Sequence, residues 1–179
     1  MLKYIIIAAI VLIIILIIVL IFSSSKKKIL LSMLNIDEAT SNIGVLLKRK
    51  LELLKTLEEI AKNKIDIDDL NINFEDIEKK NLNSFELNTT LRNIHNDLFK
   101  AIDISGKFKK NKKAIDTLED LNDNEEDLFG VIHFYNDSVV TYNGLLSSFP
   151  TSIVAKLTKY KKLDFFTDEK REIFEILKK

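Results

Sequence analysis

The stretch "HFYNDSVVTYNGLLSSFP", residues 133–150, decides how the fold is read. The pair Tyr-Asn occurs in it twice, seven residues apart, as Tyr135-Asn136 and Tyr142-Asn143, and the stretch ends at the chain's one proline, Pro150. Seven residues is close to two helical turns, so the two tyrosines fall on one helix face. Extended in both directions, positions 118, 121, 125, 128, 132, 135, 139, 142, 146 and 149 alternate steps of three and four; they read Leu, Leu, Glu, Leu, Ile, Tyr, Val, Tyr, Leu, Phe. That is a coiled-coil-like seam interrupted only by Glu125. The spacing predicts a long amphipathic helix with Tyr135 and Tyr142 on its buried stripe and Asn136 and Asn143 flanking it. Pro150 cannot continue the helix and takes Phe149 out of helical geometry, so the segment ends there.

Two earlier segments carry the same signal. Over residues 32–62, Ile36, Ala39, Ile43, Leu46, Leu47, Leu51, Leu54, Leu57 and Ile60 recur at helical spacing. Over residues 76–105, Phe85, Leu87, Leu91, Ile94, Leu98, Ala101 and Ile102 do so, with Gly106 placed as a helix C-cap. Between them "NKIDIDDLNINF", residues 63–74, clusters Asp and Asn, which favour turns over helix interior. After Pro150, "TSIVAKLTKYKKLDFF" reads as a short helix and a connection. "TDEKREIFEILKK" reads as a final amphipathic helix with Thr167 as N-cap and Ile173, Phe174 and Leu177 as its apolar edge. With one proline, four glycines and no alternating run suited to a sheet, the predicted fold is all-α. Its architecture is an antiparallel four-helix-type bundle of long helices, preceded by one transmembrane helix.

That preceding helix is "YIIIAAIVLIIILIIVLIF", residues 4–22, an unbroken apolar run of 19 residues. At the helical rise it reaches about 28 Å, close to the hydrocarbon thickness of a bilayer. A cleaved secretory signal fits less well: the apolar core is long, only Lys3 precedes it, and no A-x-A site follows, although processing near residues 23–25 would release a secreted bundle. Lys26, Lys27 and Lys28 crowd the carboxyl side, so the positive-inside rule predicts a cell-membrane protein with its bulk in the cytoplasm. The predicted organisation is an anchor with its basic flank over residues 1–28, "SSSKKK" serving as linker, and a helical bundle domain over residues 29–179.

Charge narrows the partners. The chain balances 27 basic against 27 acidic groups, but residues 1–28 hold four lysines and no acid, leaving 23 against 27 in the remainder. A mildly acidic body without a basic stripe is a poor binder of nucleic acid. The expected partners are the lipid bilayer, through residues 4–22, and an unidentified protein. Absence of cysteine excludes disulfides, thiolate metal sites and cysteine nucleophiles.

Candidate sites are few. A ring on a buried helix stripe fills volume, so Tyr135 and Tyr142 are read as packing residues, with Asn136 and Asn143 fixing register between helices. His95 and His133 are the only histidines and neither belongs to a pattern that sets two ligands on one face; both are read as partly exposed helix residues. The acidic run "EDLNDNEEDL", residues 119–128, lacks the glycine and spacing of a calcium loop and is read as a solvated face, apart from Glu125 on the seam. No phosphate loop, nucleophile elbow or locally paired carboxylates occur. The expectation is therefore no enzyme, no cofactor and no metal.

These residues resemble the signature of the LemA family of bacterial membrane-anchored helical proteins. The family's first helix has the form N-x-V-x-x-A-x-x-x-I-x-V-x-L-K-R-R, and Asn35, Ala39, Ile43, Val45, Leu47, Lys48 and Arg49 occupy its places. Its later pattern, F-Y-N-x-x-V-x-x-Y-N-x-x-I-x-x-F-P, is met by Phe134, Tyr135, Asn136, Val139, Tyr142, Asn143, Leu146, Phe149 and Pro150. The aromatic pair that follows in the family matches Phe165 and Phe166. The resemblance covers the chain from the apolar run to about Thr167. Departures are "ISGKFKK" where a Tyr-Pro is usual, and "LFGVIH" in place of basic residues before the F-Y-N. The resemblance implies a membrane-tethered four-helix-type bundle and assigns no molecular role.

The function expected from these readings is a non-enzymatic interaction or scaffold role at the membrane. The alternative is a ligand-sensing or transport-associated bundle with a pocket at the Tyr135/Tyr142 seam.

Overall fold

The computed structural model describes residues 1–65, 72–105 and 111–166. Among these it has five helices and no strand: α1 (Leu2–Ile65), α2 (Phe74–Lys79), α3 (Ser84–Ser105), α4 (Lys112–Ser147) and α5 (Thr151–Leu157). The fold is all-α and bundle-like, as the spacing of apolar residues predicts. Gly106, the turn within residues 66–71, the connection beyond Ser105 and the final helix from Thr167 lie outside the described residues.

The first difference from expectation is at "SSSKKK". It is not a linker: α1 runs through it without a break. No glycine or proline occurs before Gly44, so nothing in the backbone forces an interruption. Residues 1–24 are exposed throughout, and the buried stripe begins abruptly at Ser25. It continues through Ile29, Ser32, Ile36, Ala39, Ile43, Leu47, Lys50, Leu54 and Leu57 in steps of three and four. Lys50, not the predicted Leu51, takes the seam position there. The helix is long and apolar enough near its N-terminus to cross a membrane.

The second difference lies in the segment predicted to start at residue 76 as one helix. It is two. Asn73 Oδ1 accepts from the Asp76 N–H at 3.1 Å and starts α2, and Lys80 turns extended and stops it. Asn83 then forms a reciprocal capping box with Glu86: Asn83 Oδ1 accepts from the Glu86 N–H and Glu86 Oε2 accepts from the Asn83 N–H, both at 3.0 Å. Leu91, Leu98 and Ile102 form the buried stripe of α3. Phe85 is exposed, because it stands a residue out of step with Leu87, Leu91, Ile94 and Leu98.

In α4 the predicted seam drifts by one residue at its N-terminal end. The buried positions are Ala114, Thr117, Leu121, Asn124 and Leu128, so Thr117 and Asn124 take the places assigned to Leu118 and Glu125. Asn111 Oδ1 accepts from the Ala114 N–H at 3.3 Å, which ties down the first turn.

The chain divides into two compact units, Met1–Glu38 with Tyr135–Lys179, and Ala39–Phe134; the divisions fall inside α1 and α4. In the first unit Ile29 and Ile36 pack with Val139, Tyr142, Val154 and Ala155. In the second, the Lys50–Glu125 and Arg49–Asp120 pairs join α1 to α4, Lys55–Glu78 joins α1 to α2, and His95–Glu125 joins α3 to α4.

Candidate functional site

The Tyr-Asn repeat sits on the C-terminal third of α4 and acts on a piece of chain that is not helical. α5 ends at Thr158 with Lys159 in the left-handed conformation, φ 58°. The Tyr160 N–H reaches back to the Ala155 carbonyl at 3.0 Å and the Lys159 N–H to the Lys156 carbonyl at 3.3 Å, a Schellman closure made with lysine where glycine is usual. The chain from there to Phe166 lies along α4 as a strap without regular structure.

Asn143 grips the strap with both ends of its amide. Its Nδ2 donates to the Leu163 carbonyl at 2.9 Å and its Oδ1 accepts from the Leu163 N–H at 3.0 Å, so the side chain pairs with the backbone as a neighbouring strand would. Asn136 Oδ1, itself buried, accepts from the Phe166 N–H at 2.9 Å. The Tyr135 hydroxyl donates to the Asp164 carbonyl at 3.2 Å, and its ring meets that of Phe166 edge-on with centroids 6.1 Å apart.

The heptad interval now has a geometric reason. Seven residues of helix advance about 10.5 Å, and three residues of extended chain advance about 10 Å. Asn143 and Asn136 are seven apart on α4, and Leu163 and Phe166 are three apart on the strap, so both asparagines meet backbone at once. The asparagines set the register of a strap against a helix, where the sequence reading had them between helices.

Tyr142 is 2% exposed at the centre of the core cluster. Burial pushes its phenol above the ordinary tyrosine value, with Tyr160 adding to the shift; the Tyr135 phenol is raised by burial and then by the Asp164 carboxylate. Raised above an already high value, both phenols keep their protons at physiological pH. Phe149, placed on the seam by spacing, is instead 80% exposed: α4 stops at Ser147, so helical spacing no longer carries Phe149 onto the buried stripe. Lys26, Lys27 and Lys28 are exposed on α1 just beyond the apolar run.

A second polar cluster, inside Ala39–Phe134, escaped the sequence reading. Lys50 is 0% exposed, and its Nζ lies 2.5 Å from Glu125 Oε1, a charge contact whose angles miss hydrogen-bond alignment. His95 Nδ1 approaches the same oxygen at 3.2 Å. Burial alone would raise the Glu125 carboxyl; the His95 and Lys50 contacts outweigh it and hold the group at about 2. Beside it, fully buried Asn124 donates through Nδ2 to the Leu46 carbonyl at 3.3 Å. His95 is half-buried on α3, a partly exposed helix residue, whereas His133 is exposed beside Phe129. The available signal was positional: steps of three and four from Ile43 through Leu47 lead to Lys50 and then Leu54.

Chemically, the clamp offers neutral amide and phenol groups spent on backbone, and the second cluster offers one carboxylate spent on two basic side chains. Among the described residues no three His, Asp or Glu side chains converge as metal ligands.

No curated protein and no solved structure matches this chain. The model of the LemA family matches residues 39–176, which takes in the charged cluster, the Tyr-Asn clamp and the strap. With most of its length covered by that match, and with the F-Y-N to F-P block folded around its own aromatic pair, this chain belongs to the LemA family.

Proposed function

We propose that the protein is a non-enzymatic, membrane-anchored helical scaffold that holds a protein-binding surface at the cell membrane, with its bulk on the cytoplasmic side. The observation that carries this reading is the continuity of α1. The exposed apolar run and the helix that supplies the buried stripe are one uninterrupted element, Leu2–Ile65. A span joined to its cargo by unbroken helix restrains the cargo more than a flexible tether would. Lys26, Lys27 and Lys28 beyond the run support the cytoplasmic assignment.

A protein partner is supported by large apolar side chains left in water on Ala39–Phe134, among them Val45, Phe99 and Phe129, the last 72% exposed. Exposed aromatics of this kind serve as anchors for partner proteins. Packing, more than a ligand pocket, is supported at the Tyr135/Tyr142 seam by the near-complete burial of Tyr142 among Val139, Val154 and Ala155.

The test is crosslinking in intact cells of the full chain, a form lacking residues 1–28, and full-length Phe129→Ala. One protein captured by the full chain, and lost both with the anchor and with Phe129→Ala, supports the scaffold. Capture that is indifferent to the anchor removes the tethering role. A small molecule retained in native mass spectra, with no protein captured, replaces the scaffold with the sensing bundle.

A further inference from the structure

α5 is mainly apolar on its outward side, with Lys156 the one charged residue there. Its inner side, Thr151, Val154 and Ala155, is buried. Its outer side carries Ile153 and Leu157 at a four-residue step, 52% and 69% exposed, and Phe149 in the turn just before the helix is exposed as well. A helix on the surface of a water-soluble domain presents mainly polar and charged residues there.

The position of α5 along α1 narrows what covers that face. Val154 and Ala155 belong to the same core cluster as Ile29. Ile29 is seven residues beyond Phe22, the end of the apolar run, or about 10 Å of helix. The headgroup layer on each side of a bilayer takes up about 5–8 Å of such a distance. A bilayer crossed by residues 4–22 would therefore end within side-chain reach of α5.

The charges agree. Lys156, Lys159, Lys161 and Lys162 are exposed around the end of α5, and no acidic residue occurs between Asp137 and Asp164. On α1 the exposed Lys26, Lys27 and Lys28 lie in the same compact unit, and no acid precedes Asp37. Such a concentration of like charge repels a second copy of itself and attracts an anionic lipid surface.

We propose that Phe149, Ile153 and Leu157 form an interfacial membrane contact, seated at the headgroup boundary of the bilayer that residues 4–22 cross and held there by the flanking lysines on anionic lipid. This rests on the anchor reading above. α5 and the turn before it then dock the bundle onto the bilayer as a second foothold beside the span.

The chain has no tryptophan, so single tryptophans report cleanly. Full-length Phe149→Trp, Leu157→Trp, Leu12→Trp and Phe129→Trp are reconstituted into phosphatidylcholine/phosphatidylglycerol vesicles carrying brominated acyl chains. The expected result is strong quenching of Leu12→Trp, partial quenching with blue-shifted emission for Phe149→Trp and Leu157→Trp, and none for Phe129→Trp. Partial quenching should weaken when phosphatidylglycerol is omitted, or when Lys156, Lys159, Lys161 and Lys162 are changed to Gln. If Leu12→Trp is quenched while Phe149→Trp and Leu157→Trp are not, the interfacial contact is overturned and the anchor stands. A blue shift without quenching that grows with protein-to-lipid ratio assigns the face to a second copy and also overturns it. If Leu12→Trp itself is unquenched, the anchor reading fails and takes the contact with it.

Discussion

The two compact units satisfy polar groups on the helices they share, α1 and α4, by opposite means. In Met1–Glu38 with Tyr135–Lys179, neutral asparagine amides meet the backbone of the strap at Leu163 and Phe166. In Ala39–Phe134, a fully buried ammonium, Lys50, meets a carboxylate, Glu125, that water still reaches over 33% of its side chain. A neutral amide paired with backbone is indifferent to pH and salt, whereas an ion pair holds only while its carboxylate is ionised. The two units should therefore differ in what disturbs them.

The largest expected effect is on the neutral side. Tyr142→Ala empties a packed site and should lose about 3–5 kcal/mol in denaturant melts, with the loss unchanged between neutral pH and mild acid. A neutral substitution would place the ring in solvent, contrary to its burial, and the Tyr-Asn motif would then need a binding explanation.

On the charged side, Lys50→Met leaves Glu125 with His95 alone and should cost about 2 kcal/mol, less than breaking a wholly buried pair because water reaches the carboxylate. Lys50→Met combined with Glu125→Leu should recover most of that loss. The acid dependence has a definite sign. The folded-state value of Glu125 lies near 2, below its ordinary 4.5, so its stabilisation is complete above about pH 4.5 and is lost as pH falls toward 2. With a discount for solvent screening, that limb is worth about 2 kcal/mol at most. Parallel acid titrations of the wild-type chain and Glu125→Gln should stay a constant distance apart above about pH 4.5 and close on one another as pH falls toward 2. Curves that stay parallel would mean that the cluster is not where acid sensitivity resides.

Smaller effects probe the strap. Asn143→Ala removes two hydrogen bonds at a half-exposed site and should cost about 1–2 kcal/mol. Amide exchange at Leu163 should quicken while that at Leu98 and Leu121 does not. If all three quicken together, the strap is not a separately held element. Lys159→Gly, which relieves a lysine in the left-handed region, should gain about 1 kcal/mol or less. It is the smallest change expected and the one most easily masked by the added freedom of the unfolded chain.

Much of this was legible in the residues. The apolar run, the helical class, the stop at Pro150 and the short helix after it follow from hydropathy, spacing and the chemistry of proline, all local properties. Within α4 the seam was read to within a residue, but it was carried too far, to Phe149, which lies beyond the helix and is exposed. It erred at Leu118 and Glu125 because steps of three and four drift against a helix of 3.6 residues per turn, and only contacts decide which of two adjacent residues turns inward. "SSSKKK" looked like a linker by composition, yet serine and lysine are compatible with helix and nothing nearby breaks one.

The sequence by itself determined that the chain is helical, that residues 4–22 are long and apolar enough for one membrane crossing, and that Tyr142 is core. Only the tertiary structure decided what the asparagines hold, because their partners are backbone groups some 20 and 30 residues away that carry no signature of their own. It alone decided, too, that Lys50 is buried: a lysine at a seam position reads as solvated until a carboxylate and an imidazole on two other helices are brought against it. Local periodicity dictates which face a residue lies on; what that face meets depends on contacts distant in sequence, which the residues specify only jointly.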